Sequence, residues 1–292
     1  MKLYSINTGH FKLDGGAMFG VVPKSIWNKL NPADDNNMCS WALRSLLIET
    51  DGRLILVDTG MGDKQDEKFF GHYYLHGEDT LDKSLAKYGF HRDDITDVFL
   101  THLHFDHCGG AIKKIEDKFV PAFKNAVFWS NQYHWEWATN PNDREKASFL
   151  KENILPIRES GRLRLFNPSD ADFETWDELS GVITKEFAPG ISIRFASGHT
   201  RGMMLPQIQY KGRTIVFMAD LLPSAAHIPM PYVMSYDTTP LATLEEKRSF
   251  YRDAIKGDYV LFFEHDPVNE CCTLQQTEKG VRAGEFFTLE SL

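Results

Sequence analysis

The chain has 292 residues, 42% hydrophobic and 25% charged, the balance of a soluble globular protein able to bury a sizeable core. A net charge of −9 argues against a broad phosphate-binding surface, because nucleic-acid affinity leans on Lys and Arg, so no nucleic-acid partner is expected. No apolar run approaches the length of a membrane-spanning helix, and the opening MKLYSINTGHFKLDGG lacks the apolar centre of a signal peptide.

Cys39, Cys108, Cys271 and Cys272 form no Cys-x-x-Cys pair, which reads as a reduced, cytoplasmic protein with no zinc site built from cysteine. Without repeats, low-complexity tracts or a Pro/Gly/Ser-rich linker, residues 1–292 are expected to form one domain. Its N-terminal stretch at about 10–38 should be loop-rich, since it mixes Gly20, Pro23, Trp27, Pro32 and an Asp-Asp-Asn-Asn run.

In chain order, Trp41–Glu49, the turn dipeptide Asp51-Gly52 and Arg53–Asp58 predict a β-hairpin. Thr80 to Tyr88 predicts a helix with Leu81, Leu85 and Tyr88 on one face and Gly89 to stop it. Asp97–Thr101 is a short buried strand, Ala126–Trp129 another, and Tyr133–Leu155 is helical in part, broken near Asn140-Pro141. Strands follow at Ile191–Phe195, Leu205–Tyr210 and Thr214–Met218, then a helix at Leu244–Ile255 and a last strand at Tyr259–Phe263. This order suggests two packed sheets covered by helices.

The chemistry concentrates in Thr101-His102-Leu103-His104-Phe105-Asp106-His107-Cys108-Gly109-Gly110. In an extended backbone His102, His104 and Asp106 would project to one side, with His107 turned toward a second centre. Three imidazoles and a carboxylate make a nitrogen-rich set that suits zinc. Three of the chain's 11 histidines fall in one hexapeptide directly after a strand, which sets the cluster apart from a polar loop. The Gly pair is expected to turn the chain away, into a helix. His199, Asp220 and His265 each follow a predicted strand and are the further candidate ligands.

These pieces, with Asp58-Thr59-Gly60, resemble the metallo-β-lactamase superfamily in order and along most of the chain. The resemblance implies an αββα sandwich, an α/β (α+β) fold of two mixed β-sheets flanked by helices. It implies two divalent metal ions, with zinc as the default and manganese, cobalt or iron as substitutes. His102, His104 and His199 would hold one ion, Asp106, His107 and His265 the other, and Asp220 would bridge them. The ions would share a hydroxide that attacks the substrate, and Asp106 would also carry a proton to the leaving group.

Aspartate at 220, where the best-known zinc β-lactamases carry cysteine, disfavours antibiotic hydrolysis. Histidine at 104, where diiron relatives carry glutamate, disfavours redox chemistry. The stretches Thr8–Pro23 and Ala226–Asp237 resemble a subgroup holding the YtnP-type N-acyl homoserine lactonases and methyl-parathion-hydrolase-like enzymes. That implies a small-molecule lactone or ester substrate, and a role in quorum quenching. The alternatives are a phosphotriesterase, a glyoxalase II-like thioesterase, or a binding protein that keeps the fold without turnover.

Met18, Phe19, Trp27, Met230 and Tyr232 are candidate pocket residues for an acyl chain. His227 is a candidate proton donor, and Asp237 a candidate support for a metal-bound histidine. Apolar residues in 17–38 without an obvious partner in the chain suggest a homodimer.

Overall fold

The computed structural model describes residues 1–166 and 183–292, and the backbone alone of 183–185. The chain divides into two compact units, Met1–Gly9 with Leu43–Phe173 and His10–Ala42 with Glu174–Leu292. Each is described in turn.

The first unit is built on a six-stranded sheet in the order β1-β2-β3-β4-β7-β8. The strands are β1 (Lys2–Asp14), β2 (Met38–Thr50), β3 (Arg53–Val57), β4 (Asp97–Phe99), β7 (Val127–Asn131) and β8 (Leu163–Phe166), with a separate hairpin of β5 (Ile112–Ile115) and β6 (Lys118–Pro121). β2 and β3 pair antiparallel across Asp51-Gly52, as expected for a hairpin. β3, β4, β7 and β8 then run parallel, with Val57, Phe99 and Trp129 level with one another. The chain therefore leaves β3 and β4 at one edge, the edge at which ligands bind in parallel α/β sheets.

Side chains of Ile6, Leu47, Leu56, Leu85, Val98, Leu100, Phe128 and Ile157 make this unit's core, each contributing about 1.5–3 kcal/mol by leaving water. The helix expected after Thr80 is Leu81–Lys87; Thr80 Oγ1 accepts from Lys83 N, and Leu81 and Leu85 face inward. The expected break near Asn140-Pro141 separates two helices, Gln132–Thr139 and Lys151–Glu159.

The second unit carries a seven-stranded sheet in the order β15-β14-β13-β12-β11-β10-β9. Its strands are β9 (Ile183–Ala188), β10 (Ile191–Ala196), β11 (Met203–Tyr210), β12 (Arg213–Phe217), β13 (Val260–Phe262), β14 (Cys271–Thr277) and β15 (Gly280–Phe287). All neighbours pair antiparallel except β12 and β13, which are parallel with Phe217 level with Phe262. Both sheets are thus mixed, and with their helices they give the α/β fold expected.

Helix Pro240–Lys256 is the unit's long helix; proline at its first position matches the fixed φ that a helix start requires. Thr243, Glu246, Lys247, Phe250, Tyr251 and Ala254 lie on its buried face. The stretch expected as loop-rich begins as β1, which runs to Asp14, and holds two short helices at Gly15–Phe19 and Lys24–Trp27. Asp14 ends the strand by accepting a hydrogen bond from Ala17 N at 2.8 Å, which caps the first of them. All four cysteines are buried and free. No described helix is long and apolar enough to cross a membrane.

Candidate metal centre

In the first unit the histidine-rich segment follows β4 directly. Only His102 and His104 keep the expected alternation, because a helical turn begins at Phe105 and carries Asp106 and His107. The Gly pair in turn opens a short 3-10 helical turn, Gly109–Ala111, before the chain enters β5. A Cβ on Gly110 would stand 2.2 Å from the Thr59 carbonyl oxygen, so only glycine admits that approach. Lys64 donates to the Gly109 carbonyl, and burial pushes its ammonium down to about 8.

Each ring in this segment turns its outer nitrogen toward an oxygen of the protein. His102 Nδ1 lies 3.1 Å from Thr101 Oγ1, whose own hydrogen goes to Asp58 Oδ2 at 2.6 Å. His104 Nε2 lies 3.4 Å from Glu145 Oε1, and Glu145 Oε2 accepts from Trp137 Nε1 and Asn142 Nδ2. His107 Nδ1 faces Asp58 Oδ2 at 3.1 Å. Thr101 and Asp58 favour the tautomers of His102 and His107 that leave a lone pair on Nε2, and the carboxylate near His104 Nε2 favours the one that leaves a lone pair on Nδ1. His102 Nε2 and His104 Nδ1 then face each other at 3.1 Å, and His107 Nε2 faces Asp106 Oδ2 at 3.7 Å. Two lone pairs at that separation repel unless a cation lies between them. The donor set fits a metal ion.

The second unit repeats the arrangement. His199 lies in the β10–β11 connection, Asp220 just beyond β12, and His265 just beyond β13. His199 Nδ1 is 2.9 Å from Asp237 Oδ1, and Asp237 Oδ2 accepts from Thr243 Oγ1 at 2.9 Å. His265 Nδ1 donates to the Ala42 carbonyl at 2.8 Å. Both Nε2 atoms therefore carry lone pairs, and each faces a different oxygen of Asp220, at 3.1 Å for His199 and 3.2 Å for His265. Two histidine Nε2 atoms thus converge on one carboxylate, a donor set that fits a metal ion.

The His199 loop is gripped from the long helix. Glu246 accepts from Ser197 N at 2.6 Å and Gly198 N at 3.1 Å. A Cβ on Gly198 would meet Thr243 Oγ1 at 2.3 Å, so glycine allows the loop to lie on that helix.

His227 is placed differently from a proton donor. Its Nε2 donates to the Met18 carbonyl at 2.9 Å and its Nδ1 lies 2.8 Å from Ser224 Oγ. The ring stacks on Phe19 at 4.7 Å, and burial pushes its pKa down to about 3. Phe19 also stacks on Trp27, and Met18, Phe19 and Trp27 are all buried, so these three pack as core. Met230 and Tyr232 are half-buried.

Sequence reasoning passed over several supports. Asp58 was visible only as part of a turn; it sits at φ 55° and also accepts from Thr101 N. Glu145, Thr243 and Glu246 carried no local signal. Nor did His134, whose Nε2 accepts from the Leu103 amide between two of the histidines.

A model of the metallo-beta-lactamase superfamily matches residues 44–255. The N-acyl homoserine lactonase AiiA of Bacillus thuringiensis subsp. kurstaki is 26% identical over 211 residues, covering 69% of this chain and 67% of its own length. A probable metal-dependent hydrolase from Staphylococcus aureus has the same fold with a TM-score of 0.84 and 29% identity, covering 100% of this chain and 98% of its own. AidC, a dizinc quorum-quenching lactonase, aligns with a TM-score of 0.76 and 23% identity over 98% and 95% of the two chains.

Proposed function

Because the chain belongs to the metallo-beta-lactamase superfamily and is a metal-dependent hydrolase, we propose that it works with two metal ions and opens the lactone ring of N-acyl homoserine lactones or related esters. Asp220 carries the binuclear reading, since its two oxygens face the Nε2 atoms of two different histidines. In this reading His102, His104 and His199 hold one ion, Asp106, His107 and His265 the other, and Asp220 serves both. Zinc suits so nitrogen-rich a set, with manganese, cobalt and iron as substitutes.

When bound, the ions supply Lewis acidity toward a substrate carbonyl and lower the pKa of the attacking water. The chain's own groups do the rest. Asp58, Glu145 and Asp237 hold His107, His104 and His199 in the tautomer that offers a lone pair inward. Asp106 takes up the proton released by the attacking water and delivers it to the leaving alkoxide. His227 stays outside the chemistry, because its one N–H is held by the Met18 carbonyl.

The lactone itself is supported by likeness to AiiA over two thirds of the chain. Ring opening of such lactones is the chemistry of quorum quenching, and the free cysteines suit a reducing cytoplasm. Val21, Ile26 and Leu30 are exposed, which supports a homodimer through the N-terminal stretch.

The test is kcat/KM on a long-chain N-acyl homoserine lactone beside a paraoxon-type triester and a glutathione thioester, with metal content measured on the same sample. The lactone is expected to lead by about a hundredfold or more. A triester or thioester in first place overturns the substrate. Fewer than one ion per chain, with no hydrolysis on the panel, overturns the enzyme reading.

A further inference from the structure

Lys247 lies on the buried face of the helix Pro240–Lys256 with no exposed surface. Its Nζ donates toward four backbone carbonyl oxygens: His227 at 2.7 Å, Pro229 and Tyr232 at 3.1 Å, and Met230 at 3.3 Å. An ammonium has three N–H donors and no acceptor, so it serves this ring by sharing hydrogens. A neutral amine would turn a lone pair onto one of the oxygens. Burial pushes Lys247 down to about 7, against the nearby Asp237 carboxylate, which favours its charged form.

The local sequence explains why these carbonyls are available. His227-Ile228-Pro229-Met230-Pro231-Tyr232 contains two prolines, which lack an N–H and block a regular ladder or helix. Only a single helical turn, Ala225–His227, precedes them. Carbonyls with no strand partner must find other donors when buried. One turn along the helix from Lys247, Tyr251 Oη donates to the Ile228 carbonyl, so two side chains of one helix face hold five consecutive or near-consecutive carbonyls of the segment.

We propose that this ring of carbonyls is a monovalent-cation site whose permanent occupant is the Lys247 side chain, and that the tethered ammonium is a positioning residue that sets Met230 and Tyr232 against the acyl chain of the substrate. The acyl chain rests on the lactonase reading; the cation site does not. The Lys247 hydrogen bonds go to this segment rather than to the candidate metal ligands, so its effect is expected to run through the segment it holds.

Lys247→Met keeps the unbranched chain as far as its fourth atom and removes the charged nitrogen. The variant is expected to retain its full metal content and to show faster amide hydrogen exchange across residues 225–235. Its KM for a long-chain lactone should rise about tenfold while kcat stays within about twofold. Lys247→Ala is read with and without n-propylammonium, which replaces the carbons and nitrogen removed. Protection at 225–235 should return with n-propylammonium and not with n-propanol.

Wild-type exchange rates in both variants overturn the proposal, as does equal recovery with the alcohol or recovery with neither. A fall in kcat at constant KM overturns the positioning role. NMR on the unaltered protein needs no variant to fold. Slowly exchanging protons on the Lys247 ζ nitrogen at a pH of about 6 support the cation site, and a neutral amine there overturns it. Should the wild-type chain open no lactone, the exchange and NMR results still decide the cation site, and the substrate reading alone falls.

Discussion

The two units supply their candidate metal-binding side chains in opposite ways. In the first, four donors crowd positions 102–107, whereas in the second, three are spread from 199 to 265. Both sets nevertheless include donors just beyond the ends of parallel strands, β4 in one case and β12 and β13 in the other. In both, the outer nitrogen of each histidine is turned toward an oxygen of the protein. The difference lies in what does the holding. The crowded segment is braced by residues far from it in sequence, Asp58, His134 and Glu145. In the scattered set, the His199 loop is held by one helix, through Thr243 to Asp237 and through Glu246 to the loop amides. A dense motif still depends on distant braces, and a dispersed site can be steadied by a single element.

Changing one carboxylate in each half tests that comparison most severely. Asp220→Asn replaces one of two oxygens that face histidine lone pairs with an amide N–H₂. Loss of several kcal/mol of transition-state stabilisation, about a thousandfold in turnover, is expected together with loss of metal by elemental analysis. Asp106→Asn, which faces one histidine, should cost about a hundredfold and leave more metal bound. Equal metal loss in the two variants would erase the distinction between a shared and an unshared carboxylate, and full turnover in Asp106→Asn would remove its proton-carrying role.

The braces give the next effect. Asp58→Asn and Asp237→Asn should each weaken metal binding by about 10–100-fold, read by competition with a chelator. Asp58 should sit at the upper end, because it accepts from Thr101 N, Thr101 Oγ1 and His107 Nδ1, whereas Asp237 is held to His199 and Thr243. A larger loss for Asp237→Asn would mean that the helix-held half is the less tolerant one.

This contrast also decides what could be read before any coordinates. The strands leading into the site were legible because they are short apolar runs ended by turn residues, and the helix at Leu81–Lys87 because its cap and stop are local. The ligand candidates were legible because histidine is scarce in the chain and falls after strands. β1 and the β14–β15 hairpin were missed: their residues are half polar, and β1 and β15 each sit at a sheet edge where one side is unpaired, so the apolar signal is diluted. The helical turn at Phe105–Cys108 hid behind an alternating pattern that suggested strand. Asp58, Glu145, Glu246 and Lys247 could not be singled out, since each acts on residues 15 or more positions away and an isolated acid or lysine carries no pattern. Pocket candidates Met18, Phe19 and Trp27 share their apolar character with core, and core is where they lie.

The smallest predicted effect concerns backbone strain. Asp58 stands at φ 55°, and in the second unit Ala219, just before Asp220, stands at φ 40°. Neighbouring bonds from Met218 N to the Phe262 carbonyl and from Leu221 N to the Met218 carbonyl frame that kink. An L-residue there costs about 1–2 kcal/mol, which Ala219→Gly would relieve. Glycine also adds about 0.5–1 kcal/mol of unfolded-state entropy, and removal of the buried methyl forfeits packing. Net stability should therefore move by less than about 1 kcal/mol, a Tm shift of a few degrees at most. Metal affinity should still fall by about threefold, because glycine lets position 219, directly before Asp220, sample other backbone angles. The corresponding relief at Asp58 cannot be tried without removing its carboxylate, so Ala219 is where strain and ligation can be separated. Unchanged affinity with a raised Tm would show that the kink is only tolerated; lowered affinity at constant Tm would show that it aims the carboxylate.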